Sequence, residues 1–456
     1  MTSSASTSSC TDEQISEHNT VADDADDSSS PSNNVVMKRP YATSSILINY
    51  KEKLSTENIS RGKLAPELPV IGLGCSSFSN FFSTDQDTSK SISLPLDPTH
   101  PVVIEWMNTV REAIRCGINL LDTAPWYGHG MSECLIGLAL TYNELDLPTS
   151  LKPLPACATT RSNLIINTKV GRYEASLLHM FDFSAARVRS SVLQSIERMK
   201  CEYIDVIQLH DPEFSPSIEL LMDVTIPALV EMRDQGFVRA IGVTGYPLSV
   251  QREIIQRSWD RGIIFDQSLT YCHYNLHDQS LFSVASESYS ERDNDTSFAN
   301  FCLSKGIGVM AAAPLSMGLL TKNGPPDWHP ACLKLKEACR KVAVQCSEAN
   351  VDIAELAIIY ALSNASIPCT LLGMRNTAEV YKAVNIAARF DGSSRQMGKL
   401  SGAHNTLLLD ITGTTGIFSR LSFEEKEWDG KLIAAEFWEG IPGGKDQAEK
   451  SMRQQA

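Results

Sequence analysis

Four side chains in this 456-residue chain have types and placements that could act together: Asp122, Tyr127, Lys169 and His210. A phenol ionises near pH ~10, too high for easy proton exchange at neutral pH. A buried ammonium beside it favours the phenolate and lowers that value. A carboxylate behind the ammonium would keep it charged and oriented, and an imidazole could hydrogen-bond a substrate oxygen. Together they describe a tuned Tyr general acid/base, suited to moving a proton while a hydride moves elsewhere. Singly, each has a plainer reading. A Lys at a strand end is usually an exposed charge, and an Asp near a helix start is usually a cap. Tyr127 before Gly128 could pack a loop, and a His ending a strand is often a satisfied core imidazole.

The joint reading gains its weight from the elements that must carry these residues. Short apolar runs recur at Pro69–Cys75, Ile118–Ala124, Leu164–Val170, Tyr203–His210, Val238–Gly245, Ile263–Tyr271, Gly306–Pro314 and Cys369–Met374. Each is near-continuous in Ile, Leu, Val or Ala, as strands buried on both faces should be. Helix-like segments follow them. Over Ser184–Lys200, Ser184 is a candidate N-cap, and Val188, Val192, Ile196 and Met199 fall on one stripe. Val351–Ser363 carries Ile353, Ala357 and Ala361 at fourth-residue spacing. Eight strands alternating with helices predict an α/β chain folded as a (β/α)8 TIM barrel with loop insertions. An open doubly wound sheet is the alternative, but no G-x-G-x-x-G follows the first strand. Chemistry in such a barrel sits at the C-terminal ends of the strands. The second strand ends Leu121-Asp-Thr-Ala-Pro-Trp-Tyr-Gly128, the third Asn167-Thr-Lys-Val-Gly171 and the fourth Gln208-Leu-His-Asp211. The four side chains should therefore converge on one mouth.

Composition bounds the partners. With 40 Lys plus Arg against 54 Asp plus Glu, the net charge is −14, which argues against phosphate-backbone binding and so against nucleic acid. Seven of the acids lie in residues 1–37, which contain no Lys or Arg. The Ser-rich, acidic stretch 1–45 is expected to be a disordered tail, too poor in apolar residues to offset ordering entropy. Its start has neither a basic nor an apolar targeting region. The barrel is expected over 46–395 and a C-terminal extension, packed on or near it, over 396–456. Loop insertions are expected at Phe82–Pro98, Asp146–Asn163 and Ser283–Asp295, and from Gly392 through Thr412-Gly-Thr-Thr-Gly416. No apolar run approaches the roughly 18 residues of a membrane span. Twelve cysteines without zinc or disulfide spacing read as core residues of a reducing compartment, with cytoplasm the default. His273 and His277 are four apart, but no third ligand is evident and no metal is expected.

The stretch Gly117-Ile-Asn-Leu-Leu-Asp-Thr-Ala-Pro-Trp-Tyr-Gly128, followed by Ser132-Glu133 and Gly137, resembles the aldo-keto reductase superfamily. So do Asn167-Thr-Lys169 and Tyr203-Ile-Asp-Val-Ile-Gln-Leu-His210. Gly171-Arg-Tyr173, His210-Asp-Pro-Glu-Phe214, Ser268-Leu-Thr-Tyr-Cys-His-Tyr274, Ala313-Pro-Leu-Ser-Met-Gly-Leu-Leu-Thr321 and Gly324-Pro-Pro-Asp-Trp-His-Pro330 are similar to its aldose dehydrogenase branch. The resemblance implies that Tyr127 transfers the proton, Lys169 lowers its pKa, Asp122 pairs with Lys169 and His210 orients the substrate oxygen. It further implies oxidation of an aldopyranose, L-galactose on an ascorbate route, at C1 to the lactone, with hydride passing to a nicotinamide. Oxidation of L-fucose or D-arabinose, reduction of an aldehyde or pyridoxal, and a non-catalytic cofactor-binding regulatory subunit remain as alternatives. A small sugar is the expected partner, and the chain a monomer or weak homo-oligomer.

For the cofactor, the resemblance points to Cys75 and Ser76 after the first strand, Thr244 after the fifth, and Gln267 or Tyr271 on the sixth. It adds Pro314, Leu315 and Met317 after the seventh, and Gly373, Arg375 and Glu379 after the eighth. Thr244 lies where many members have Ser-Asn, and Ala312 where an aromatic often stacks on nicotinamide. NADP-using members tend to present an Arg at the position of Glu379, so NAD is expected, while Arg375 leaves NADP open. Trp126, Trp328 and His329 could shape the sugar pocket; equally, the last two could pack their loop down.

Overall fold

The computed structural model describes residues 38–40, 67–79, 92–143, 150–283, 296–390 and 402–455. A short antiparallel pair comes first, β1 (Lys38–Pro40) against β2 (Glu67–Pro69). Eight parallel strands follow: β3 (Ile71–Gly74), β4 (Leu120–Asp122), β5 (Ile165–Val170), β6 (Ile204–His210), β7 (Val238–Gly245), β8 (Gln267–Tyr271), β9 (Gly308–Ala312) and β10 (Cys369–Gly373). They close in chain order, with β10 bonded to both β9 and β3. Each expected apolar run holds one barrel strand. Continuous apolar sequence is what a strand needs when one face lines the barrel and the other meets helices.

The helices form for the local reasons their sequences suggest. Ala185–Met199 starts where the Ser184 hydroxyl accepts the Arg187 N–H at 3.3 Å, and ends at Lys200 in the left-handed region, φ 51°. Val188, Val192 and Met199 are its buried stripe. Ile353–Ser363 is capped by Asp352, which accepts from the Ala354 N–H at 2.9 Å. Met131–Thr141 packs on Ala185–Met199 through Gly137, where an added Cβ would stand 2.3 Å from the Arg198 carbonyl oxygen. At the end of the barrel opposite the strand C-termini, Leu68 of β2 packs with Leu120, Ile165 and Cys369, the first residues of three strands.

Three boundaries differ from the sequence expectation. Lys38–Pro40 pairs as a strand, so the stretch 1–45 is not uniformly tail; 1–37 and 41–66 lie outside the described residues. The region from Gly392 is not all loop, because Gly402–Thr412 is a helix whose Leu407, Leu408 and Ile411 share one buried face. Residues 150–163 contain two short 3-10 turns, anchored where the buried Arg111 donates to the Lys152 carbonyl at 2.6 Å. Most of the insertions at 82–98 and 283–295 lies outside the described residues.

The C-terminal residues fold onto the barrel. Trp438 Nε1 donates to the Phe214 carbonyl at 3.1 Å, and Phe437 meets Phe181 and Phe214 edge-on. No helix among the described residues is long and apolar enough to cross a membrane.

Candidate active site

Strand geometry brings the four candidate residues together. Asp122 ends β4, Tyr127 sits in the turn after it, Lys169 is next to last in β5 and His210 ends β6. Lys169 Nζ lies 2.5 Å from Asp122 Oδ1 and donates to the Thr123 carbonyl at 2.7 Å. The same ammonium is 4.8 Å from the centre of the Tyr127 ring. The His210 ring stands edge-on to Tyr127, centroids 6.2 Å apart. Both members of the ion pair are almost wholly buried, with side chains 1% and 3% exposed.

Burial sets the protonation states. It acts against the Lys169 ammonium, but Asp122 and Tyr127 outweigh it and hold that pKa above its ordinary value. For Tyr127 burial is again the largest influence, and it raises the phenol's pKa although Lys169 pulls it down by charge and hydrogen bond. The sequence expectation of a lowered phenol is thus corrected: Lys169 limits a rise that burial causes. His210 is pushed down to about 3 by burial, which outweighs the opposing pull of Asp211, so its imidazole is neutral at physiological pH. Its Nδ1 is buried with no hydrogen-bond partner among the described residues.

A layer of polar side chains stands behind this cluster; of these, Gln208 and Asn167 were not singled out in the sequence, and Gln267 was expected at the cofactor instead. Gln208 Nε2 donates to Asp122 Oδ2 at 2.8 Å, and Gln267 Nε2 donates to Gln208 Oε1 at 3.0 Å. Asn167 Nδ2 reaches Gln267 Oε1 at 3.4 Å. The signal was the two-residue period of a strand: Asn167 precedes Lys169, and Gln208 precedes His210, by one repeat, so each pair points inward. Beside His210, Arg172 pairs with Asp211 at 2.8 Å and lies 4.1 Å over the Trp126 ring. Glu213, half-buried and near Asp211, has a carboxyl that desolvation and the Asp211 charge push up to about 8.

The expected cofactor and substrate residues divide. Thr244 lies in register with His210, while Tyr271 ends β8 and pairs with Ala312. Gln267 is not at the mouth; it begins β8, and its amide is engaged inside the barrel as described. Cys75 has a fully buried thiol directed at the Leu73 carbonyl at 3.5 Å, so only its backbone is available to a ligand; Ser76 beside it is half-buried. Pro314, Leu315 and Met317 lie on a loop where Ala313, Ser316 and Met317 have φ of 56°, 48° and 51°. Asp211 and Cys272, directly after β6 and β8, are also left-handed. Backbone strain of this kind concentrates at ligand sites. Gly373 ends β10 exposed, and an added Cβ would meet nothing closer than 3.8 Å. After it, Glu379 Oε2 accepts the Arg375 N–H at 2.7 Å at the start of helix Thr377–Ala387. Trp328 is 54% exposed. His329 is a loop anchor: Nε2 meets the Ser316 carbonyl at 3.0 Å and Nδ1 accepts the Ala331 N–H at 3.0 Å.

A parallel eight-stranded barrel with a buried Lys–Asp pair beside a Tyr and a neutral His at its C-terminal mouth has the makings of an oxidoreductase site. The family model described as the aldo/keto reductase family matches residues 104–403, and the chain belongs to that family. It is an oxidoreductase acting on CH–OH or carbonyl groups. It is 39% identical to L-galactose dehydrogenase of Arabidopsis thaliana over 311 residues, 68% of this chain and 86% of that one. It is 31% identical to D-arabinose 1-dehydrogenase of Saccharomyces cerevisiae over 61% of this chain and 72% of that one. A solved structure of an aldo-keto reductase from Bacillus halodurans shares the fold, with TM-score 0.51 and 20% identity over 81% of this chain and 98% of that one.

Proposed function

We propose that the chain is an NAD-dependent aldose 1-dehydrogenase that oxidises L-galactose at C1 to L-galactono-lactone, a step of an ascorbate route. The observation that carries the chemistry is the buried Asp122–Lys169 pair set against the Tyr127 ring, with neutral His210 across from it. The choice of sugar rests on similarity to a relative named for L-galactose, most of whose length this chain covers.

The residues present fit a nicotinamide dinucleotide. Strand ends leave open backbone at Gly373, the strained loop at 313–317 lies beside β10's neighbour β9, and a helix N-terminus follows. Thr244, Tyr271, Leu315, Met317 and Gly373 would hold it, and when bound it accepts the hydride leaving C1. Tyr127 takes the proton of the C1 hydroxyl as phenolate, which Lys169 stabilises by charge. Asp122, held by Gln208, keeps Lys169 charged and in place. Neutral His210 donates a hydrogen bond to the sugar oxygen; with a pKa near 3 it adds no second positive charge to the mouth. Trp126, flattened under Arg172, offers a face to the pyranose ring. Because burial raises the Tyr127 pKa, oxidation speeds up as pH rises. NAD is favoured over NADP by Glu379, whose carboxylate already occupies the helix N-terminus where a 2′-phosphate would otherwise be welcome.

The test is NADH formation by the purified full chain with L-galactose, L-fucose and D-arabinose. Turnover fastest with L-galactose, and abolished in Tyr127→Phe without loss of cofactor binding, is the expected result. Preference for another sugar would discard the substrate and keep the chemistry. Cofactor binding with no turnover of any sugar or aldehyde would overturn the enzyme reading in favour of a regulatory subunit.

A further inference from the structure

A second buried cluster lies beside the mouth, where the loop after β8 meets the C-terminal extension. His273, Asp278 and Glu427 each present one ligand atom, all within 4.8 Å of one another. His273 Nδ1 is 3.5 Å from Glu427 Oε1 and 3.7 Å from Asp278 Oδ2. The His273 and Asp278 side chains are 2% and 3% exposed, and that of Glu427 19%. His273 Nε2 lies 2.5 Å from the Tyr246 carbonyl oxygen, a contact that requires Nε2 to carry its proton. In the neutral ring the lone pair is then on Nδ1, where the Ser280 hydroxyl donates to it at 2.7 Å and the two carboxylates stand within 3.7 Å. Asp278 Oδ1 accepts the Ser280 N–H at 2.7 Å, but Oδ2 is buried without a hydrogen-bond partner among the described residues.

A nitrogen lone pair and two carboxylates gathered out of water call for a cation among them. A proton supplies one positive charge against two carboxylates; a divalent ion balances both. We propose that His273 Nδ1, Asp278 Oδ2 and Glu427 Oε1 bind one divalent ion of the zinc class, which fastens the C-terminal extension to the barrel.

The donor set and geometry suit such an ion. Tetrahedral coordination with bonds of 2.0–2.2 Å needs ligand atoms roughly 3.4 Å apart, close to both separations measured from Nδ1. The Nε2–H bond to a backbone carbonyl is the outer-shell contact that fixes the tautomer of a ligating His. On binding, the Ser280 hydroxyl turns from Nδ1 to donate to a carboxylate oxygen. A cavity lined by His277, Asp278, Thr414, Ser419, Lys426 and Glu427 reaches two of the three donors and gives the ion an entry path and room for a fourth ligand. His277 is not one of the donors gathered within 4.8 Å of one another; its Nε2 meets the Ser316 hydroxyl at 2.8 Å. Spacing along the chain offered no third ligand for His273 and His277; the donors proposed beside His273, Asp278 and Glu427, come from a loop and a distant segment. The consequence lies one residue on. Trp428 stacks on Tyr246 at 4.5 Å, donates its N–H to the Tyr246 hydroxyl at 3.2 Å and meets His329 edge-on. The ion would lock this segment against the rim of the mouth, independently of the sugar and hydride chemistry.

The experiment strips the purified full chain with a chelator, then titrates Co2+ followed by Zn2+. We expect one equivalent of Co2+ with weak visible bands and no intense thiolate charge-transfer band, displacement by Zn2+, and a higher melting temperature on binding. Glu427→Gln and Asp278→Asn should each weaken binding roughly tenfold or more while melting like the metal-free wild type. Cys332→Ser, a change at a nearby exposed thiol, should bind as the wild type does. Absence of stoichiometric binding, a thiolate band, or unchanged affinity in Glu427→Gln would each overturn the proposal.

Discussion

Replacing Asp122 with Asn keeps the side chain's shape and removes one charge from a pair whose members are 1% and 3% exposed and 2.5 Å apart. Breaking a buried pair from one side costs about 3–5 kcal/mol, because the remaining charge is left uncompensated. For the roughly 350 described residues, the entropy of unfolding converts about 0.7 kcal/mol into one degree. Asp122→Asn should therefore melt about 4–7 °C below the wild type. The folded pKa of Lys169 is raised, so the pair's contribution is complete below the unfolded value of about 10.4 and is lost only as pH rises through the folded one. The melting gap should accordingly be flat across neutral pH. Chemistry suffers in parallel. With Asp122 gone, burial of Lys169 is opposed by Tyr127 alone, the ammonium's pKa falls and its hold on the phenolate weakens. NADH formation should slow and its rise with pH move to more alkaline values. The double variant Asp122→Asn/Lys169→Met should recover most of the lost melting temperature and none of the activity, since no unpaired charge remains but no ammonium does either. Scanning calorimetry and steady-state rates on the three variants decide the matter. A loss below about 1 °C together with an unchanged pH–rate profile for Asp122→Asn would refute the argument.

Glu213, whose carboxyl is pushed up to about 8, stays protonated in the folded chain at pH values where the unfolded chain has lost the proton. Its cost therefore grows from the unfolded value near ~4.3 and levels off above the folded one, so Glu213→Gln should gain melting temperature over the wild type as pH rises from 5 to 8 and show little gain at the acid end. Gly137→Ala should cost about 1–3 kcal/mol, read by urea unfolding, because the new methyl would stand 2.3 Å from the rigid Arg198 carbonyl. Glu379→Arg should shift kcat/KM toward NADP by tenfold or more, since it exchanges a repelling carboxylate for a pairing guanidinium; an unchanged cofactor ratio would remove Glu379 from the recognition argument.

The strands and the meeting of Asp122, Tyr127, Lys169 and His210 were legible in the sequence because both are governed by short-range regularities. Continuous apolar runs mark strands buried on both faces, and a barrel sends every strand's C-terminal end to one rim. The helix start at Ser184 was equally local, set by one hydroxyl and one backbone N–H. What depends on distant segments was not legible. Gln208 and Gln267 back the Lys–Asp pair only because β6 and β8 turn those side chains inward toward β4. The sign of the Tyr127 shift follows from how deeply the turn after β4 is covered, and burial there outweighs the neighbouring ammonium. His329 looked as fit for a sugar as for a loop, until the Ser316 carbonyl and the Ala331 N–H took up both its ring nitrogens. Glu427 reaches His273 only when the C-terminal extension folds back across the barrel, a contact that no spacing along the chain encodes. Residue types and local periods determine the elements and the chemistry they could carry, whereas desolvation and long-range contact, which exist only in the packed molecule, decide which polar groups are charged, which are engaged and which remain open to a ligand.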